Sequence, residues 1–256
     1  MKLTFLGTGT SQGIPMIGCD CGVCRSDDPR DRRWRSAIHV EAAGFHLQVD
    51  TPPEFRLQAL AAQLERVDAV LVTHTHADHI FGMDDLRPFN TRQRAPIPVY
   101  AAPPAAAHLR QVFAYMFEPG APGTTRPRIE LRAVESPFAL GPFRITPLPV
   151  RHGPETVLGY RFDAGARALA YVPDCSGIPD ATLDLLGSLD VMVLDALRPT
   201  AHPTHLSLPE SLALLARIGA RRSFITHLSH RLGHADTQRQ LPSGVAVPWD
   251  GLAVEV

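Results

Sequence analysis

The stretch that decides the fold of this chain is Leu71-Val72-Thr73-His74-Thr75-His76-Ala77-Asp78-His79. Four potential metal ligands lie within six residues, directly after an apolar run at 69–72 that is typical of a buried strand. Neutral imidazoles and a carboxylate bind zinc, manganese or iron at neutral pH, because they offer lone pairs without a large deprotonation cost. A solvated His-rich turn is the alternative, and the rest of the chain decides between the two.

Three further apolar runs end in a residue that can bind a metal. The run at 145–151 is followed by His152, the run at 168–173 by Asp174, and the run at 223–226 by His227. Strands packed side by side bring their ends to one edge of a sheet, where ligands bind in α/β folds. One such residue alone is more typical of a structural role, but four strand ends of this kind together predict a dinuclear metal centre.

These residues resemble those of a known family. The motif at 74–79, followed by His152, Asp174 and His227, is similar to that of the metallo-β-lactamase superfamily. The opening at 6–13, the cysteine segment at 18–24 and the closing segment at 226–230 narrow the resemblance to the cyclic-phosphate phosphodiesterase family of the carbon–phosphorus lyase pathway. The match runs over essentially the whole chain. We therefore expect a single hydrolase domain over residues 1–256, with an α/β (α+β) fold arranged as a four-layer αββα sandwich.

The resemblance also implies how the ligands are shared between two divalent ions, zinc or manganese. One ion would be held by His74, His76 and His152. The other would be held by Asp78, His79 and His227, and Asp174 would bridge both. Asp78 and Asp174 are thereby expected to be catalytic as well as ligands.

A sugar or nucleoside alkoxide is a poor leaving group near neutral pH, so the expected reaction needs a general acid. The resemblance favours His205, two residues before a helix cap predicted at Ser207. From the residues alone, His205 is an ordinary surface-loop histidine. His202 is the nearest rival and has no comparable support.

Three of the four cysteines form the pattern Cys19-x-Cys21-x-x-Cys24, inside an irregular segment near 14–34. In a reducing compartment such a cluster favours a metal over a disulfide. A structural zinc needs four ligands, and His230 is the best fourth candidate, a choice that the resemblance also implies. Three free or redox-active thiols remain the alternative. Cys175 stands apart and is interpreted as a small buried residue.

Periodicity and turn residues predict strands and helices that alternate along the chain. A helix is expected to start at His79 and run to Asn90, another to span 104–117, and a surface loop to occupy 120–128. Asp50 follows a predicted strand. It either orients a ligand imidazole or is a turn residue before two prolines, and the sequence leaves both open.

Composition limits the class of protein. The chain has 256 residues and a formal net charge of −1, so nothing suggests broad attraction to nucleic acid or to a membrane surface. No apolar run approaches the roughly 20 residues of a membrane helix, and the glycine at position 7 interrupts any secretory signal. We expect a cytoplasmic protein, and the resemblance suggests a homodimer.

The sequence therefore predicts a dinuclear-metal phosphodiesterase that acts on small, cyclic phosphodiesters such as phosphoribosyl 1,2-cyclic phosphate. A metal-bridging hydroxide would attack, and a histidine would act as the general acid. An RNA-processing nuclease or a 2′,3′-cyclic nucleotide phosphodiesterase on the same fold is the alternative. A non-hydrolytic accessory protein of cofactor biosynthesis is the alternative of another class. It is disfavoured because all seven ligands are present.

Overall fold

The computed structural model describes residues 1–118 and 125–256. Most of the loop expected at 120–128 therefore lies outside the described residues. Fourteen strands are present in the described part: β1 Lys2–Gly7, β2 Ala37–Ala42, β3 Phe45–Val49, β4 Ala69–Leu71, β5 Ile97–Ala101, β6 Ile129–Ala133, β7 Phe138–Leu140, β8 Phe143–His152, β9 Glu155–Ala164, β10 Arg167–Val172, β11 Val191–Asp195, β12 Arg222–Thr226, β13 Val245–Ala246 and β14 Ala253–Glu255. The α-helices there are α1 Phe55–Ala61, α2 Ala77–Ile80, α3 Arg87–Gln93, α4 Pro103–Val112, α5 Asp180–Leu183, α6 Leu208–Ile218 and α7 His234–Gln240.

The strands form two mixed sheets. The first has the order β14-β1-β2-β3-β4-β5-β6, and the second has the order β13-β12-β11-β10-β9-β8-β7. In the second sheet, β10, β11 and β12 are parallel to one another, and β8 runs the same way because β9 pairs antiparallel with both β8 and β10. The carboxyl ends of β8, β10, β11 and β12 consequently lie at one edge.

The two sheets pack face to face, and helices cover their outer faces. Phe5 of β1 meets Phe224 of β12 across the interface, with ring centroids 5.3 Å apart, inside a core drawn from both sheets. In a second core, Leu109 of α4 packs on the outer face of the first sheet. In a third core, Leu215 of α6 packs on the outer face of the second sheet. Burial of apolar surface on both faces of each sheet stabilises this arrangement. The predicted four-layer αββα sandwich is confirmed.

Two hydrogen bonds join the sheets at the ligand edge. The amide of Leu158 in β9 donates to the carbonyl of Thr73 at 3.0 Å. The buried hydroxyl of Tyr160 donates to the carbonyl of Val72 at 2.8 Å. These bonds fix the start of the 74–79 motif against the second sheet.

The helix expected from His79 to Asn90 is wrong in its bounds. Helix α2 begins earlier, at Ala77, so that Asp78 and His79 share its first turn, and it ends at Ile80. A 3₁₀ turn at Met83–Leu86 follows, and α3 starts at Arg87. Pro88 explains the restart, because proline is tolerated in the first turn of a helix but not in its interior. The helix expected at 104–117 ends as α4 at Val112, followed by a 3₁₀ turn at Ala114–Met116.

The capping box predicted at Ser207 is confirmed. The Ser207 amide donates to Glu210 Oε2 at 2.8 Å, and α6 opens with Leu208 and Pro209. Among the described helices, none is long and apolar enough to cross a bilayer.

Candidate metal centre

The predicted metal ligands meet at the carboxyl edge of the strands. His74 and His76 follow β4, Asp78 and His79 lie on α2, and the second sheet contributes His152, Asp174 and His227 from the ends of β8, β10 and β12. The structure therefore brings all seven residues together.

The donor atoms fall into the two groups that the resemblance implied. His74, His76 and His152 offer ligand atoms within 4.8 Å of one another, and so do Asp78, His79 and His227. Asp174 lies between the groups. Its carboxylate oxygens are 3.8 Å from His74 Nε2, 3.4 Å from His79 Nε2 and 3.4 Å from His227 Nε2. A carboxylate in this position could bind an ion held by either group, and the bridging role of Asp174 stays a prediction.

Hydrogen bonds orient two of the imidazoles. Asp50 Oδ2 accepts from His79 Nδ1 at 2.8 Å, and the same carboxylate accepts from the amide and hydroxyl of Thr73 at 2.9 and 2.8 Å. The carbonyl of Thr204 accepts from His152 Nδ1 at 2.7 Å. In both rings the hydrogen bond at Nδ1 leaves Nε2 as the atom that can bind a metal, which is the usual orientation of a metal-bound histidine. Asp50 therefore makes the imidazole contact that the sequence had left as one of two alternatives.

Buried polar atoms without partners show that this site fits metal ions. Among the described residues, His79 Nε2, Asp174 Oδ1 and both ring nitrogens of His227 are buried and have no hydrogen-bond partner. Such groups are costly unless something satisfies them. Imidazole and carboxylate donors in two adjacent trios match the preferences of zinc and manganese.

Burial and neighbouring charges strongly shift the pKa values of the clustered residues. Burial alone would raise the pKa of Asp174, but His227 and His79 hold it well below its usual range. Burial alone would lower the pKa of His79, but Asp174, Asp78 and Asp50 hold it well above the usual value. Asp174 is thus ionised and needs positive charge beside it, which divalent ions would supply when bound.

His205 lies beside these ligands, as predicted. Its ring stacks on that of His227 at 4.6 Å between centroids and contacts the ring of His152 at 4.7 Å. Its Nδ1 is 2.8 Å from Asp195 Oδ2. Burial raises the pKa of Asp195 well above its usual range and, together with the charge on His227, lowers the pKa of His205 to about 3. Both shifts favour the uncharged forms of the two groups, which one hydrogen bond joins. His202 packs on His205 at 5.3 Å but donates nothing to the ligand cluster.

The loop that carries His205 is fixed at both ends. The Leu197 amide donates to the Leu206 carbonyl at 2.9 Å, next to the capping box of α6. On its other side the loop touches the turn between β8 and β9, where Gly153 has φ +60° and a Cβ would lie 2.7 Å from Thr204 Cγ2. Only glycine permits both this conformation and this approach.

Asp195 is the residue that sequence reasoning missed. It ends the apolar strand β11 in the way that the other ligand residues end theirs, so the same signal was available. Its side chain is fully buried and also accepts from the Cys175 amide at 3.0 Å. Cys175 is buried, as interpreted from the sequence.

The second predicted metal site is also assembled. Cys19, Cys21, Cys24 and His230 place their ligand atoms within 4.8 Å of one another, with His230 Nδ1 3.2 Å from Cys19 Sγ and 3.4 Å from Cys21 Sγ. The Cys24 amide lowers the pKa of the Cys21 thiol to about 6, whereas burial raises that of Cys24 to about 11. A thiolate and an imidazole at this spacing fit a zinc ion. The zinc itself stays a prediction.

Comparison with known proteins places this geometry in a family. A family model for a beta-lactamase superfamily domain matches residues 46–228, which include all seven clustered His and Asp residues and His205. The chain belongs to the metallo-β-lactamase superfamily. It therefore has a metallo-hydrolase fold, and membership implies that divalent metals bind its His/Asp cluster.

Relatives within the superfamily differ in their stated activities. A crystal structure of a new diphosphatase from the PhnP family is 41% identical, with a TM-score of 0.91 over 99% of this chain and 96% of that one. Coenzyme PQQ synthesis protein B of Methylorubrum extorquens is 26% identical over 76% of this chain and 72% of that protein. The octanoyltransferase of Porphyromonas gingivalis is 34% identical over 98% of this chain. The chain spans only about half of that last protein, 51% of its length.

Proposed function

We propose that this superfamily member is a metal-dependent phosphodiesterase acting on small phosphodiesters, cyclic sugar phosphates among them. The observation that carries the proposal is the placement of His205. A histidine with Nδ1 fixed by a buried carboxylate stands beside two trios of metal ligands, with Nε2 free for a leaving group. A thioester has a thiolate leaving group, which departs more easily than an alkoxide and does not call for such an acid.

The chain's own residues divide the work. His205 in its imidazolium form would donate the proton from Nε2 to the departing alkoxide and become neutral, and Asp195 as a carboxylate would accept from Nδ1–H and stabilise the imidazolium before the transfer. Binding of a phosphate places negative charge beside His205, which raises its pKa and favours the imidazolium that the transfer needs. When bound, divalent ions supply Lewis-acid polarisation of the phosphoryl oxygens and a nucleophile at neutral pH. The roles of His74, His76, Asp78, His79, His152, Asp174 and His227 as ligands belong to this proposal.

The size of the cleft supports a small substrate. A cavity of about 280 Å³ lies over the ligands, lined by Ser11, Glu155, Thr204 and His205 beside Asp78 and Asp174. A folded RNA needs a positive surface for its phosphates. The formal charge of this chain is −1. The nuclease alternative is therefore disfavoured.

A diphosphate ester is the second candidate. The relative described as a diphosphatase is 41% identical over 99% of this chain. When a diphosphate ester is hydrolysed, the leaving group is a phosphate. Its departure needs less acid catalysis by His205 than the departure of an alkoxide. Octanoyl transfer does not follow from the other match, because about half of that protein lies outside the alignment. A non-hydrolytic accessory role is disfavoured because the full ligand set converges, with His205 beside it.

A substrate panel tests the proposal. Purified protein loaded with zinc or manganese would be assayed on bis(p-nitrophenyl) phosphate, ribose 1,2-cyclic phosphate, 2′,3′-cyclic nucleotides, a dinucleotide diphosphate, a thioester and a β-lactam. We expect turnover of the phosphodiesters and none of the last two. Preferred turnover of the diphosphate would select the second candidate, and turnover of the thioester alone would overturn both.

A further inference from the structure

A second and larger cavity opens beside the metal centre. It measures about 580 Å³, against about 280 Å³ for the space over the ligands, and falls within the range of small-molecule sites of about 300–1,000 Å³. The ribose phosphate of the proposed reaction does not need this space.

The two cavities are neighbours with a shared wall. Glu155, at the start of β9, lines both. Thr73, His74 and Thr75 line the larger cavity, and His76, the next residue, lines the smaller. A group attached to a phosphoryl centre over the ligands would pass Glu155 to enter the larger cavity.

Prolines and short aliphatic side chains form much of the wall of the larger cavity. They include Pro103, Pro104 and Ala105 at the start of α4, and Pro147, Pro149 and Val157 of the β8–β9 hairpin. Rigid proline rings and short aliphatic side chains pack against a planar ring without losing side-chain entropy on binding.

The charged groups of this cavity are carboxylates. Glu135 and Glu155 line it, and both residues are exposed. No lysine or arginine is among its described lining residues. Carboxylates repel a second phosphate and accept hydrogen bonds from hydroxyl and amino groups. The occupant is therefore neutral, partly apolar and rich in donors.

One contact links this cavity to the ligand motif. His108 of α4 lies in the cavity wall, and its Nδ1 is 2.8 Å from the hydroxyl of Thr75, between the two ligands His74 and His76. The helix that forms the apolar wall is thus fixed against the metal centre. His205 and His227 line only the smaller cavity, so the larger one lies away from the proposed acid.

We infer that the larger cavity binds the nucleoside-like group of the substrate that stays on phosphorus while the other group leaves. This inference rests on the proposed phosphodiesterase function and makes it specific. The preferred substrates are nucleoside phosphodiesters or nucleoside-bearing diphosphate esters rather than a minimal sugar phosphate.

Two substrates with the same leaving group test this inference. The p-nitrophenyl ester of thymidine 5′-monophosphate and methyl p-nitrophenyl phosphate differ only in the group that stays on phosphorus. We expect kcat/KM to be on the order of tenfold or more higher for the nucleoside ester, because binding energy from a remote group lowers the barrier. Equal values for the two esters would overturn the inference.

A matched pair of variants locates the effect. Ala105→Trp fills the cavity, whereas Ala107→Trp places the same ring on an exposed position of α4 that does not line it. Ala105→Trp should remove the preference, so that the ratio of kcat/KM between the nucleoside and methyl esters falls to about one. Ala107→Trp should change neither. An unchanged preference in folded Ala105→Trp would contradict the assigned cavity.

A binding measurement separates this inference from the proposed function. Thymidine is titrated into metal-loaded wild-type protein and followed by saturation-transfer NMR, with both variants as comparisons. Absence of turnover on both esters would sink the phosphodiesterase proposal, but thymidine binding that Ala105→Trp abolishes would still support the cavity. Absence of binding, or binding that survives in Ala105→Trp, would overturn the assignment of the cavity.

Discussion

At the residue scale, function rests on a few side chains whose partners fix their protonation and direction. Asp50 holds His79 by Nδ1, and Asp195 holds His205 in the same way. Asp50 and His227 also have left-handed backbones, with φ of 60° and 59°. Residues other than glycine rarely adopt this conformation, and where they do it often lies at a functional site.

The first prediction uses the leaving group to examine His205. His205→Ala should lose ~10²–10⁴-fold in kcat on a cyclic ribose phosphate and far less on bis(p-nitrophenyl) phosphate, because p-nitrophenolate leaves without a proton. The wild-type rate on the sugar substrate should fall as pH rises and His205 loses its proton, and the variant should lack this limb. His202→Ala is the matched control and should keep both activities. Equal losses on the two substrates, or loss of an ion, would show that His205 binds or ligates instead.

The second prediction concerns Asp50. Asp50→Asn removes the charge that orients and polarises His79, and loss of such a partner typically weakens metal binding about 10–100-fold. Competition with a chelator, followed by elemental analysis, measures this change. Asp68→Asn is the control, because the Asp68 carboxylate accepts from the His46 amide and lies away from the metal centre. Unchanged affinity in Asp50→Asn would make Asp50 a turn residue only.

At the element scale, the cysteine segment is the part of the chain with least regular structure to support it. Between β1 and β2 the chain has only the 3₁₀ turn at Pro29–Asp31. The cysteines of this segment meet His230, three residues beyond the ligand His227 at the end of β12. A zinc bound there would fasten the segment to the strand end that carries a ligand.

The third prediction separates the two metal sites. Cys21→Ser should lower the melting temperature, because binding energy at a structural zinc is also folding energy. It should also lower the zinc content by one ion per chain. Asp174→Ala should abolish turnover and leave that zinc in place. Ile17→Ser, on the same segment and almost fully exposed, should change neither property. If Cys21→Ser kept the wild-type melting temperature while losing all activity, the structural assignment would be wrong.

At the scale of the whole molecule, the ends of the chain close the first sheet beside the cysteine segment. Strand β14 pairs with β1. Next to it, Asp250 accepts from the Trp34 amide at 2.5 Å and from the Thr8 hydroxyl at 2.8 Å. Burial raises the pKa of Asp250 from 3.8 to about 7. The predicted single domain and homodimer remain proposals at this scale.

The fourth prediction follows from Asp250. Between pH 3.8 and about 7 the folded protein keeps a proton on Asp250 that the unfolded chain releases. The unfolded state then binds fewer protons, so this group's contribution to the free energy of unfolding falls as pH rises through that window and levels off above it. When urea unfolding is measured across this pH range, the free energy of unfolding should fall less steeply with pH in Asp250→Asn than in wild type. Identical slopes in the two proteins would contradict the raised pKa.

The sequence by itself determined the fold and which residues meet at the candidate metal centre. An apolar run followed by a ligand residue is a local signal, and four such runs were enough to place His74, His152, Asp174 and His227 at one edge of the sheets. An apolar run also precedes Asp195, but Asp195 was not among the predicted site residues. Strand β7 and helix α7 were missed because they carry little apolar periodicity: β7 has three residues, and α7 buries only His234 and Thr237.

Only the tertiary structure decided what surrounds those residues. The choice between the two roles of Asp50 depends on His79, 29 positions away. The orientation of His205 depends on its hydrogen bond to Asp195 across a loop. The cavity beside the ligands is built from α4, the β8–β9 hairpin and the end of β6, which no sequence window contains together. Hydrogen-bond partners and cavity walls are contacts between distant segments, so they are set by how the sheets pack, whereas strand ends are set by local patterning.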